Sequence, residues 1–135
     1  ERSPAAVRSG HNPFILPLLR HGPEQAGLRK HDSAGGRGLI LGFRLDGLSY
    51  ITDASFLSPE TLKSLKQTEV LVINALRFRY HPTHFTLEQT LDMIAQIQPR
   101  RAYLVHMTHD MQHAEVAKLL PPHVQLAYDN LEILW

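Results

Sequence analysis

Nine histidines and no cysteine stand among the 135 residues. Imidazole is the side chain that exchanges a proton near neutral pH, and it is a common nitrogen ligand of zinc and related metals. The absence of cysteine excludes disulfide scaffolds, thiolate zinc sites and thiol catalysis. Chemistry is therefore sought at His21, at Asp53, in the stretch from Arg77 to His84, and at His106. Each follows an apolar run that reads as a strand. In sheets flanked by helices the carboxyl ends of the strands gather on one rim, and ligands bind there. Three histidines and an aspartate would then converge although they are distant along the chain. Imidazole nitrogens and a carboxylate suit zinc, manganese or iron. The two oxygens of an aspartate can each hold a metal, and two metals about 3.5–4 Å apart can clamp a phosphate and make hydroxide from water.

Each of these residues also has a plainer reading. His21 can cap a strand end, and Asp53 before Ala54-Ser55 can form an Asx turn. His109-Asp110 can open a helix, with Asp110 favoured by the helix dipole. His81, beside Pro82, reads as a solvated loop residue. Arg77 and Arg79 can bind an anion or pair with carboxylates. His11, His31, His113 and His123 look peripheral.

The elements that must position these groups are legible in outline. Residues 1–12 are small and polar and read as a loose end. Residues 14–19 read as a strand that Pro17 confines to an edge or bulge. Residues 22–38, rich in charge and glycine, read as a flexible loop. A strand over residues 39–45, the turn Asp46-Gly47 and a return strand over 48–52 make a hairpin. Ser58 and Pro59 open a short helix carrying Leu62 and Leu65. Val70-Leu71-Val72-Ile73 reads as a strand covered on both faces. Thr86 caps a longer helix whose Leu87, Leu91, Ile94 and Ile97 share one face, and Pro99 stops it. Residues 102–105 form a strand ending at His106, residues 110–120 a third helix, and residues 124–128 and 131–135 a closing hairpin. The alternation is that of an α/β domain.

Composition narrows the function. Fourteen basic and thirteen acidic residues leave a net charge of +1. That balance gives no footprint of a nucleic-acid or membrane-surface protein. No apolar run approaches the roughly 18 residues of a membrane span, and the first residues lack a signal-type apolar segment. A cytoplasmic location is expected.

Five ordered motifs carry a resemblance: Leu41-Gly42-Phe43-Arg44, Tyr50-Ile51-Thr52-Asp53, Asn74-Ala75-Leu76-Arg77, His81-Pro82-Thr83-His84-Phe85-Thr86-Leu87-Glu88 and Val105-His106-Met107-Thr108-His109-Asp110. From Phe14 onward the chain resembles the metallo-β-lactamase-fold hydrolases, and among them the phosphoribosyl cyclic phosphate phosphodiesterases. The closing Leu126-Ala127-Tyr128-Asp129-Asn130-Leu131-Glu132-Ile133 also matches that subgroup. The resemblance implies an αββα sandwich and two divalent metals, zinc or manganese. It implies hydrolysis of a small cyclic phosphodiester by a metal-bridged hydroxide. By the same resemblance His21 completes the first metal site, Asp53 bridges both metals and His106 serves the second. His84 is a catalytic residue that contacts the substrate phosphate and protonates the leaving oxygen. Arg77 is expected at the substrate, and His109 and Asp110 support the ligands.

Two departures from the family pattern bear on this. The link from Gly22 to Gly38 is long, which makes His31 a competitor of His21. The signature His-x-His-x-Asp-His is absent from these residues. Residues 13–135 are therefore expected to be the C-terminal half of the sandwich, a mixed sheet with helices on its outer face. A lone half would leave an apolar sheet face in water, at about 25 cal/mol per Å². It is expected to pair with the missing half or with a second copy as a homodimer, to hold metal partly or not at all, and to be inactive alone. Rival readings are a tRNA 3′-end nuclease or another hydrolase of the superfamily, and a non-catalytic half-domain that has lost its ligands. Neither a membrane nor a nucleic acid is expected as partner.

Overall fold

Val70–Asn74 is the strand around which the molecule is built, and all five of its residues are buried. The structure is a computed structural model, and it describes residues 29–31, 37–39 and 42–135. Its elements are β1 (Arg29–His31), β2 (Arg37–Leu39), β3 (Gly42–Leu45), β4 (Leu48–Ile51), α1 (Pro59–Leu65), β5 (Val70–Asn74), α2 (Leu87–Ile97), β6 (Arg101–Val105), α3 (His113–Ala117) and β7 (Val124–Leu126). Strands β3 to β7 form one five-stranded sheet in sequence order. The β3–β4 pair is antiparallel, and β4, β5, β6 and β7 run parallel. This is the mixed α/β sheet expected from the alternating pattern. Among the described residues no helix is long and apolar enough to cross a membrane.

Alternation along the strands divides the sheet into two faces. Ile51, Leu71, Ile73, Ala102, Leu104, Val124 and Leu126 point to one side and join Leu65, Leu87, Ile94, Ile97 and Val116 from the helices in the main core. Each fully buried Leu or Ile there contributes about 1.5–3 kcal/mol relative to exposure. Val70, Val72 and Tyr103 point to the other side, where Leu48, Val105, Leu131 and Ile133 pack against them. The β-branched run of β5 is thus covered on both faces.

Local signals place the helices that flank the rim. Ser58 caps α1, its hydroxyl accepting from the Thr61 N–H at 3.2 Å. Thr86 closes a full capping box on α2. The Gln89 N–H donates to Thr86 Oγ1 at 3.2 Å, and the Thr86 N–H donates to Gln89 Oε1 at 2.9 Å. The Thr86→Ala variant is expected to lose about 1 kcal/mol of stability, read as a fall of a few degrees in the thermal midpoint. An unchanged midpoint would show the cap to be redundant.

The structure corrects the sequence reading at four places. The span 22–38 read as a flexible loop contains β1, which pairs antiparallel with β2, His31 standing opposite Arg37. The strand expected over 39–45 has its two ends in different strands. Leu39 pairs with Arg29 while Gly42 pairs with Ile51, so the two ends serve different sheets. The third helix is short. Its cap is Gln112, without a side-chain bond, because a turn closed by the Met111 N–H on Thr108 O at 3.0 Å first puts Met111 into the core. The closing hairpin also fails to form, since β7 pairs only with β6 among the described residues. Residues 131–135 instead cross the second sheet face. Leu131 and Ile133 pack on Val70, Val72 and Tyr103, and the Arg101 guanidinium donates to Leu134 O. Burial of those side chains outweighs what a second edge ladder would supply.

Candidate metal centre

Because β4, β5 and β6 are parallel, their carboxyl ends share one rim. Asp53 lies two residues past β4, and His106 directly follows β6. Both leave their strands with a left-handed backbone, φ 61° at Asp53 and 59° at His106. Asp and His tolerate that region better than most residues, though at a cost, and such outliers gather at functional sites. Here each turns the chain sharply at a strand end.

The third side chain comes from a loop rather than a strand. His84 closes the segment between β5 and α2, where His81 and His84 form an isolated antiparallel bridge. Ala54 ties this loop to Asp53. The Ala54 N–H donates to Asn74 Oδ1 at 2.8 Å, and Asn74 Nδ2 donates to Ala54 O at 2.9 Å. The same Ala54 O accepts the Phe85 N–H at 2.8 Å. Asp53 and His84 are therefore the chain neighbours of two directly bonded residues. Thr90 of α2 fixes the far side of this hub, its hydroxyl donating to Asn74 O at 2.7 Å. His106 is tied in through its own loop. The Ala75 N–H donates to Val105 O at 3.0 Å, the Leu76 N–H to Phe85 O at 3.0 Å, and the Thr108 N–H to Leu76 O at 2.8 Å.

The three side chains meet. His84 Nε2 lies 2.7 Å from Asp53 Oδ1, and His106 Nε2 lies 3.3 Å from the same oxygen. The two imidazoles stack, with centroids 4.9 Å apart and planes at 22°. His84 is nearly enclosed, its side chain 12% exposed, whereas Asp53 and His106 are 39% and 41% exposed. The cluster thus has a dry wall and an open side. Its ligand atoms all lie within 4.8 Å of one another. One carboxylate oxygen and two imidazole nitrogens at that spacing fit a divalent ion such as zinc or manganese.

The other expected residues are placed differently. His21 lies outside the described residues. His31 sits in β1. Arg77 turns part of its guanidinium onto its own loop, donating to Arg79 O at 3.3 Å and Tyr80 O at 3.0 Å. His109 and Asp110 pair with each other at 3.0 Å, and the His109 side chain is 96% exposed. Support comes from Asn74 and Thr90, which sequence reasoning passed over. The signals for Asn74 are a polar residue closing a run of apolar ones and its place at the head of the motif Asn74-Ala75-Leu76-Arg77. His81 also departs from expectation. It is half-buried, its ring stands edge-on to His84 at 5.0 Å, and its Nδ1 is 3.3 Å from His84 Nδ1.

Fold and site together define an α/β protein with a candidate Asp–His metal group at the carboxyl rim of a mixed sheet. Residues 14–107 match the beta-lactamase superfamily domain, and the chain belongs to that family. It is similar to a crystal structure described as a new diphosphatase from the PhnP family. The TM-score is 0.73 at 29% identity, over 81% of this chain and 42% of that one. It is also 39% identical over 101 residues to an octanoyltransferase of Porphyromonas gingivalis, covering 73% of this chain and 20% of that protein. The chain therefore spans under half of one relative and a fifth of the other. The resemblance to metallo-β-lactamase-fold hydrolases seen in the sequence motifs is borne out at the level of family and fold.

Proposed function

We propose that the protein to which these residues belong is a metal-dependent hydrolase of a phosphodiester, a small cyclic phosphate in particular. The observation that carries the reading is the meeting of Asp53, His84 and His106 at one rim, with ligand atoms within 4.8 Å of one another. In this reading Asp53, His106 and His21 would hold two divalent ions, zinc or manganese. The remaining ligands come from outside these 135 residues, either from a preceding half of the sandwich or from a second copy. When bound, the metals supply Lewis-acid activation of water and of the phosphoryl oxygens.

The chain's own residues do the rest. The Asp53 carboxylate accepts only, so the nitrogen that His84 presents to it, Nε2, carries a hydrogen. A hydrogen-bearing Nε2 on the enclosed wall is suited to contact a phosphate oxygen. When the ring is protonated, Nε2 can pass its proton to the ester oxygen as the P–O bond breaks. Arg77 keeps the Arg77–His81 loop in shape through its two carbonyl contacts, and so acts on substrate indirectly.

A second reading keeps the machinery and changes the bond. Similarity to a protein described as a diphosphatase favours a phosphoric anhydride as the group cleaved. The test is to assay the full-length protein, loaded with zinc or manganese, on a ribose cyclic phosphate and on a diphosphate ester. Preference for the first supports the proposal, preference for the second supports the alternative, and cleavage of neither removes both. His84→Ala is expected to lower cleavage on the order of 10²–10³-fold with metal content unchanged. Equal loss of metal would make His84 a ligand instead.

A further inference from the structure

Eight large apolar side chains are exposed among the described residues, and three of them, Phe56, Phe78 and Tyr80, lie in the two loops that carry Asp53 and His84. All three are aromatic. Phe56 stands three residues past Asp53, in the segment between β4 and α1. Phe78 and Tyr80 belong to the segment between β5 and α2. Both segments leave the carboxyl ends of parallel neighbouring strands, so the aromatics are set on the rim that carries the candidate metal group. Tyr80, 71% exposed, directly precedes His81, whose ring centroid is 5.0 Å from that of His84. Arg79 is exposed between Phe78 and Tyr80 and takes part in no ion pair among the described residues. The loop is tied down at its base, where the Leu87 N–H donates to Arg77 O and the Leu76 N–H to Phe85 O, each at 3.0 Å. It is tied again near its tip, where Arg77 donates to Tyr80 O at 3.0 Å. A backbone fixed in this way keeps its rings in water at a known place, and a partner that stacks on them meets a small ordering cost.

We propose that Phe78, Arg79 and Tyr80, with Phe56 on the neighbouring loop, form a subsite for a nucleobase, so that the phosphodiester brought to this rim is that of a nucleotide. Every base has a π face, and aromatic side chains stack on it without needing a matched set of hydrogen bonds. The guanidinium of Arg79 adds a planar cation to the same surface, which both stacks on a base and attracts an anionic ester. A nucleotide joins its base to its phosphate through one sugar ring, so a single molecule can reach from the metal group to the adjoining loop. A sugar phosphate without a base has nothing to offer three exposed rings. The cleavage step rests on the function proposed above, whereas the binding of a base does not.

The experiment titrates the full-length protein, loaded with zinc or manganese, with adenosine 5′-monophosphate and with ribose 5-phosphate in a calorimeter. The two probes share sugar and phosphate and differ in the base. The wild type is expected to bind the nucleotide about 10–100-fold more tightly. Tyr80→Leu and Phe78→Leu keep apolar bulk but lose the π face, and each should lower that ratio about 5–10-fold, whereas Tyr80→Phe should keep it. Equal affinity of the wild type for both probes overturns the proposal, and it is also the result if the rest of the full-length protein covers these rings. A preference that survives unchanged in both leucine variants overturns it too, because the base is then held elsewhere. Cleavage of adenosine 2′,3′-cyclic phosphate, followed in the same preparations, decides the reaction separately. If no phosphodiester is cleaved while the preference and its loss in the leucine variants are both seen, the functional reading falls and the base subsite stands.

Discussion

Asp53→Ala in the full-length protein is expected to release bound metal and reduce hydrolysis to background. That loss exceeds the roughly 10²–10⁴-fold that a general acid supplies. The reason lies in the sharing of one oxygen. Oδ1 of Asp53 is 2.7 Å from His84 and 3.3 Å from His106, so removing the carboxylate takes away both a candidate metal ligand and the oxygen that both imidazoles approach. No neighbour can take its place, because the left-handed backbone at Asp53 and the bonded Ala54 after it define where a side chain can enter. Asp53→Asn separates charge from shape. It keeps one acceptor oxygen and the volume but loses the negative charge that holds a dication, so metal content should again fall. Elemental analysis of the purified protein, with circular dichroism to verify the fold, reads both variants. Full metal retention by Asp53→Asn would place the metal elsewhere.

The largest loss of stability is expected at Asn74. Its side chain is fully buried and makes a paired donor–acceptor contact with Ala54. Asn74→Ala leaves the Ala54 N–H without its partner and opens a cavity at the end of β5. An unsatisfied buried donor costs about 1–3 kcal/mol, and the lost packing adds to it, so a total near 3 kcal/mol is expected. In a domain of this size that corresponds to a thermal midpoint lower by roughly 10 °C. Asn74→Asp is a sharper probe. It preserves the contact with the Ala54 N–H but sets a carboxylate oxygen against Ala54 O, so it should destabilise despite its near-identical volume. The hub also carries Asp53 and His84, which directly precede Ala54 and its bonded partner Phe85, so both variants should weaken metal binding before they unfold the protein. If either variant melts with the wild type, the Ala54 clamp is not what holds the rim together.

These expectations depend on features that differ in how far the chain announces them. Thr86 and Ser58 announce their helices because a cap and its N–H lie three residues apart. The run Val70-Leu71-Val72-Ile73 announces a central strand because β-branched side chains suit a pleated sheet buried on both faces. Asp53 and His106 announce a rim because each directly follows such a run. His81 is half-buried rather than solvated because its sequence neighbours Thr83 and His84 are turned toward it. The Nδ1 it meets belongs to a ring oriented by Asp53, 31 residues earlier.

Interactions spanning a few residues can be read one residue at a time, and the order and type of the central elements belong to that category. The Asn74–Ala54 hub, the delayed start of α3, the placing of residues 37–39 and 42–45 in two sheets and the path of residues 131–135 belong to another. They join groups many positions apart, as when Arg101 bonds to Leu134, 33 residues on, or Asn74 to Ala54, 20 residues back. Such contacts exist only after the sheet has brought those groups side by side. Which of several polar or apolar groups then pairs is settled by what the packed chain leaves buried and unsatisfied, a quantity that no local stretch of sequence contains.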